Sequence, residues 1–149
     1  MSIPASFKRV IQANDPDFEE GGSATLIIVF GNDLRNYLEC YTITAMEKIE
    51  DAIERMPMGS PQRLAMEDFF SAKSEEVQVD GTGRLVLQKK LRDKIGLGGE
   101  AHFKSAVDRF QIWDKQTYQA EQGAAIQAVF DDLPANADPL TLLAPYLEG

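Results

Sequence analysis

Apolar side chains gather in short runs over Ala24 to Phe30 and Tyr37 to Thr42, which predicts two strands turned by Gly31-Asn32-Asp33. The period then changes. Met46, Ile49, Ile53 and Met56 recur at helical spacing, with Thr44 expected as N-cap, Glu47 completing a capping box, and Pro57 stopping the helix. Ser60-Pro61 starts a second helix as an N-cap followed by proline in the first turn, and Leu64, Phe69 and Phe70 supply its apolar face. Val77-Gln78-Val79 and Leu85-Val86-Leu87 alternate as half-buried strands. Between them lies Asp80-Gly81-Thr82-Gly83-Arg84, whose Asp-Gly and Thr-Gly pairs predict a hairpin reversal. Lys89 to Ile95 follows as a short basic helix ended by Gly96. Glu100 to Val107 and Phe110 to Trp113 read as a further pair of strands, and Asp114 caps a last helix running towards Asp132, weakened near Gly123. The end of the chain, with Pro134, Pro139 and Pro145, reads as a loosely held tail whose Leu140, Leu142, Leu143 and Tyr146 could dock on a neighbour.

Two stretches of this pattern repeat. Ser2 to Lys8 parallels Val86 to Arg92, apolar for apolar and base for base, and Tyr37 to Thr42 parallels Arg109 to Asp114. The first half carries an insertion around residues 15–22, rich in Asp, Glu and Gly. In this alignment Met1 falls opposite Leu85, so the counterpart of Asp80 to Arg84 would lie upstream of the first residue. We expect the start to have been placed too late.

Composition narrows the function classes. The chain has 149 residues, 44% apolar and 26% charged, enough for one domain or two small halves sharing a core. No apolar run approaches the ~20 residues of a membrane span, and no secretory leader is visible, so a cytoplasmic protein is expected. One cysteine, Cys40, excludes an internal disulfide. A lone Cys and a lone His, His102, make no zinc cage, so no metal is expected. Neither a convergent acid/base pair nor a nucleophile constellation is present, so no catalytic residues, cofactor or small-molecule substrate are assigned, and an enzyme ranks last. The formal net charge of -9 argues at first against nucleic acid. Yet the charges segregate: Arg84, Lys89, Lys90, Arg92 and Lys94 are opposed in their window by Asp93 alone, while the acids cluster elsewhere. Exposed fields decay within roughly 8 Å at physiological salt, so a basic edge on an acidic body can act locally. Read as residues alone, the loop is by default a plain hairpin turn with Arg84 a surface ion-pair partner, and the basic stretch a solvated helix face.

Three features resemble the MraZ family, of the superfamily that also holds the AbrB and SpoVT regulators. They are Asp80-x-x-x-Arg84 followed by an apolar strand and a basic helix, Phe110-Gln111-Ile112-Trp113-Asp114 at a strand end, and a first-half copy in Ile3-Pro4-Ala5, Phe7-Lys8 and Leu38-Glu39-Cys40-Tyr41. The resemblance implies an α+β fold, a double swapped-hairpin β-barrel made of two half-repeats with flanking helices. Its divisions would be a truncated AbrB-like half at 1–56, a connecting helix at 57–74, a second AbrB-like half with its C-terminal helix at 75–132, and a flexible tail at 133–149. It also implies a sequence-specific, DNA-binding transcriptional repressor of the division and cell-wall gene cluster. Such a protein would bind tandem G-rich promoter repeats as a homo-oligomeric ring on the nucleoid. The family carries a DxxxR loop in each half, whereas only the second is present here, and Gln88 stands where the first half has Pro4.

On that reading Arg84 is the base reader, because a guanidinium fork can meet guanine O6 and N7 together. Asp80 organises the loop by pairing with Arg84 or a turn amide, and Gly81 and Gly83 let the backbone approach the duplex and relieve positive φ. Lys89, Lys90 and Arg92, with Lys8 and Arg9 in the first half, neutralise phosphates and fix register. The competing reading is an oligomeric protein–protein scaffold that does not bind DNA.

Overall fold

The computed structural model describes residues 1–106 and 109–147. The chain divides into two compact units, Met1–Asp114 and Lys115–Gly149. The first is built on a five-stranded antiparallel sheet of β1 (Ala24–Val29), β2 (Tyr37–Thr42), β3 (Ser74–Val79), β4 (Ala101–Ala106) and β5 (Arg109–Asp114), in the order β3-β1-β2-β5-β4. The sheet is open. β3 and β4 lie at its two edges and do not pair with each other, so these strands do not close a barrel. The strand expected from Glu100 to Val107 is β4, and Val107 lies outside the described residues.

The centre of the sheet is the pairing of β2 with β5, where Tyr37 faces Trp113, Glu39 faces Gln111 and Tyr41 faces Arg109. These are the two stretches that run parallel in the sequence. Their register is symmetric about Glu39 and Gln111, so the equivalent positions of the two strands are related by a local two-fold.

Alternation along the strands feeds two cores. On one face Leu26, Ile28, Leu38, Cys40, Phe110 and Ile112 pack with Ile11, Val79, Leu85, Leu87, Leu91 and Ile95. On the other, Ile27, Val29, Tyr41 and Met46 pack with Ile43, Ile49, Phe69 and Phe70. Burial on both faces explains why Leu26 to Val29 of β1 is an unbroken apolar run.

The helices α1 (Ala5–Ala13) and α4 (Lys89–Lys94) start at matching positions, after Pro4 and Gln88, whose backbones are alike (φ -57°, ψ 144° and φ -62°, ψ 152°). Each then packs on an element distant in sequence. Phe7 of α1 stacks on Phe110 of β5, with ring centroids 4.2 Å apart, and meets Phe103 of β4 edge-on. Lys94 of α4 donates to the Asn32 and Arg35 carbonyls of the β1–β2 turn at 3.0 and 3.3 Å. α4 ends in a Schellman motif, with Leu97 N–H on the Arg92 carbonyl (2.9 Å) and Gly96 N–H on that of Asp93 (3.1 Å). Gly96 sits there at φ 62°, a conformation that suits glycine.

Three expectations need correction. Leu85-Val86-Leu87 is not a strand of a hairpin. β3 takes β1 as its partner (Val79 opposite Ala24), while the chain beyond the loop pairs with the first residues, by the Ser2–Arg84 bridge, the bond from Leu85 N–H to the Met1 carbonyl (2.9 Å) and that from the Met1 ammonium to the Leu85 carbonyl (3.1 Å). The N-cap of α2 (Ile43–Glu54) is Thr42, not Thr44: Thr42 Oγ1 accepts from Ala45 N–H at 3.1 Å. Thr44 instead donates its hydroxyl to the Asn14 carbonyl at 2.9 Å, tying α2 to the end of α1. Leu64, on α3 (Pro61–Met66), is exposed rather than part of an apolar face. A π-helical turn over Glu67–Ala72 follows α3 and carries Phe69 and Phe70 to the sheet, while Leu64, five and six residues earlier, falls on another face of its helix. Ser60 caps α3 as expected, its hydroxyl accepting from Arg63 N–H at 3.2 Å.

The second unit holds α5 (Lys115–Tyr118), a π-helical turn over Gln119–Gly123, α6 (Ala124–Asp131) and short 3-10 turns at Pro139–Leu142 and Ala144–Tyr146. The helix is indeed interrupted up to Gly123. Among the described residues no helix is long and apolar enough to cross a membrane.

The corrected cap is testable by chemical denaturation. Thr42→Ala is expected to cost about 1 kcal/mol, whereas Glu47→Ala should stay within about 0.5 kcal/mol. The reverse ranking would restore the Thr44–Glu47 box.

Candidate nucleic-acid interface

The loop from Asp80 to Arg84 is ordered by one carboxylate. Asp80 Oδ1 accepts from Thr82 N–H at 2.9 Å, from the Thr82 hydroxyl at 2.7 Å and from Arg84 N–H at 2.9 Å. Asp80 N–H also donates to the Arg84 carbonyl (2.9 Å), and Gly83 N–H to the Asp80 carbonyl (3.0 Å). An Asx turn of this kind follows from aspartate's short side chain, which reaches backbone amides two and four residues on. The bond from the Arg84 amide, then that from the Thr82 hydroxyl, hold the Asp80 carboxyl below the ordinary aspartate range, although it is fully exposed. The carboxylate's hydrogen bonds come from the two amides and the Thr82 hydroxyl, and the Arg84 guanidinium acts on it through its charge.

Gly83 turns the loop at φ 82°, in the left-handed region where a side chain is strained. Gly81 has no positive φ, so the conformational reason expected for it does not apply; a side chain there would meet open space, with the Gly21 carbonyl 4.0 Å away.

The basic residues sort into three groups. The guanidinium of Arg84 is exposed, and the described residues offer it no hydrogen bond or ion pair; Arg92 and Arg9 are likewise exposed and unpaired. Two shallow open depressions meet along Met1, Leu85 and the exposed Val86. Arg84 lines one, with Ser23, Gln78 and Asp80, and Arg92 lines the other, with Leu87. Lys89 and Lys90 are exposed but paired. Lys89 reaches Asp93 at 3.2 Å, one helical turn on, and Lys90 pairs with Glu75 and lies 5.2 Å from the Phe30 ring centre. Exposed pairs of this sort are worth roughly 0.2–1 kcal/mol and exchange readily for another anion. The third group is structural. Lys94 holds the β1–β2 turn, and Lys8 Nζ donates to the Gly81 carbonyl at 3.1 Å.

Sequence reasoning missed Thr82, although Asp-x-Thr at a turn is the local signal for such a bond. It could not have placed Lys8, which reaches its acceptor across 73 residues. Elsewhere, Tyr41 and Trp113 are buried and serve the core. Tyr41 donates to Glu39 Oε2 at 2.6 Å and Trp113 Nε1 to Gln111 Oε1 at 2.9 Å, the same step of two residues on each central strand. Cys40 is fully buried, and that burial pushes its thiol pKa up, which leaves it protonated and unreactive at neutral pH. Among the described residues no three metal-ligating side chains come together.

The site is therefore a basic, arginine-bearing loop and helix displayed by an α+β protein with an antiparallel sheet, a surface suited to a polyanion. A family model described as "MraZ protein, putative antitoxin-like" matches residues 70–138. Curated relatives extend the match over nearly the whole chain. A "Transcriptional regulator MraZ" of Ruegeria pomeroyi is 45% identical over 149 residues, covering 100% of this chain and 87% of the relative. Proteins of the same name in Ruegeria sp. TM1040 and Cereibacter sphaeroides ATCC 17029 are 46% and 43% identical, each covering 96% of this chain and 86% of the relative. The chain belongs to the MraZ family.

The loop makes a prediction with a definite sign. Because the folded state lowers the Asp80 pKa, its bonds stabilise the loop above the ordinary value of 3.8 and are lost as pH falls through the lowered value. Thr82 and Arg84 amide shifts, followed by NMR against pH, should titrate with a midpoint below 3.8. A midpoint at or above that value would show that the carboxylate does not hold the amides.

Proposed function

We propose that this chain is a sequence-specific DNA-binding transcriptional regulator and not an enzyme. On this reading it represses the division and cell-wall gene cluster, binding tandem G-rich promoter repeats on the nucleoid as a homo-oligomeric ring. The observation that carries the proposal is the Arg84 guanidinium, which is exposed and makes no hydrogen bond or ion pair among the described residues, on a loop that Asp80 orders. The names of the relatives, transcriptional regulators throughout, support the same reading. Arg84 is the base reader, taking guanine O6 and N7 with its fork. Arg92, Arg9, Lys89 and Lys90 meet phosphates, the two lysines by exchanging their surface partners.

The exchange of α1 and α4 between halves supports counting the fold among double swapped-hairpin barrels, with AbrB-like halves at 1–56 and 75–132. One loop gives a small interface, so affinity comes from several copies engaging repeats about one helical turn (~34 Å) apart. The exposed Leu140, Leu142, Leu143, Tyr146 and Leu147 favour self-association, and they are what a protein–protein scaffold would also display.

Fluorescence anisotropy on a duplex of tandem G-rich repeats and a shuffled duplex tests the assignment. Arg84→Ala should lose about 1–3 kcal/mol of discrimination between them. Arg92→Ala should weaken both alike and reduce the salt slope by about 1. If Arg84→Ala keeps the full preference, the base reader is elsewhere; if the parent binds neither duplex at micromolar protein and low salt, the scaffold reading stands.

A further inference from the structure

We propose that Lys8 is a positioning residue that pins the Arg84 loop, and not a phosphate contact; this rests on the DNA-binding reading above. Its ammonium donates to the Gly81 carbonyl at 3.1 Å. Its stem runs beside the turn glycine: a Cβ on Gly83 would stand 3.6 Å from Lys8 Cδ and 3.5 Å from the Ile3 carbonyl. Ile3 N–H in turn donates to the Gly83 carbonyl at 2.8 Å. The platform behind these contacts is rigid. α1 is anchored by Ile11, 1% exposed, and by the stacking of Phe7 on Phe110.

The loop is thus held from two sides by complementary chemistry. Asp80 gathers the amides of Thr82 and Arg84, and Lys8 takes the outward-facing acceptor that Asp80 cannot serve. An uncovered carbonyl at the loop tip would also repel an approaching phosphate, so the ammonium removes an unfavourable group as it fixes the backbone. A loop ordered before contact has less conformational entropy to lose on binding. Lys8 differs in this from Lys89, whose partner is another exposed side chain one helical turn away. The contact spans the two halves, so the first half's helix sets the geometry of the second half's reader.

Lys8→Met keeps an unbranched apolar stem and removes the donor. With tandem G-rich and shuffled duplexes over a range of salt, the affinity ratio should fall about 10-fold while the log–log salt slope holds. In the DNA-free protein, amide exchange at Thr82 and Arg84 should rise. A slope reduced by about 0.9 with the ratio intact is the signature of a lost phosphate contact and would overturn the proposal. Unchanged exchange would overturn it too. A measurement on the unaltered protein covers the case where the variant does not fold: the Lys8 Nζ resonance should keep its position when DNA is added, and a large shift would contradict the proposal. If the parent shows no preference for the G-rich duplex, the DNA-binding reading falls, while the exchange comparison still decides whether Lys8 orders the loop.

Discussion

Everything in the sheet unit hangs on the pairing of β2 with β5. The symmetric register about Glu39 and Gln111 sends Leu38, Cys40, Phe110 and Ile112 into one core and leaves Glu39, Tyr41, Gln111 and Trp113 on the opposite face. A slip of one residue would exchange these sets, so the register is strongly specified. The polar members are buried, yet each is satisfied within its own strand, Glu39 by Tyr41 and Gln111 by Trp113. Arg35 pairs with Glu39, and Arg109 reaches it at 3.8 Å while donating to the Tyr41 hydroxyl at 3.1 Å. A buried carboxylate with several donors costs far less than an orphaned one. With β2 and β5 paired at the centre, α1 reaches β5, α4 reaches the β1–β2 turn, and Lys8 reaches a loop far along the chain.

The distribution of cations resolves the apparent conflict between a net charge of -9 and a polyanionic ligand. At the candidate surface the lysines are engaged, Lys8 and Lys94 with backbone carbonyls and Lys89 and Lys90 with carboxylates. The arginines Arg84, Arg92 and Arg9 have no such partners among the described residues. That division follows the chemistry of the two side chains. A compact ammonium suits a single carbonyl, whereas a planar fork of donors suits a guanine edge or a phosphate. Because screening confines the acidic charge to its own neighbourhood, a few unpaired guanidinium groups set the local character of the surface.

What could be read from the sequence was what local chemistry decides. The bounds of β2, the positions of β1 and β5 to within one residue at each end, the Ser60 cap and the Gly96 helix end all follow from residues within a few positions of each other. The errors came where distant partners or small shifts of phase decide. Leu85 to Leu87 has the alternation of a strand, but its neighbour across the loop is already paired with β1. The cap of α2 falls on Thr42 instead of the expected Thr44 because the helix begins directly where β2 ends. Leu64 stands five and six residues before Phe69 and Phe70, a spacing that a 3.6-residue helix does not keep on one face. At the site, the Asp80 turn had a visible local signal, while Lys8 had none, because its acceptor is set by how the halves cross.

The central claim is that Arg84 reads guanine through its major-groove edge. Replacing guanine by 7-deazaguanine in the repeats removes N7 and leaves the backbone untouched, so it tests that contact alone. The parent protein should lose affinity on the substituted duplex, and Arg84→Ala should bind substituted and normal duplexes equally. If the variant loses as much affinity on substitution as the parent does, another residue reads the base and the account is wrong.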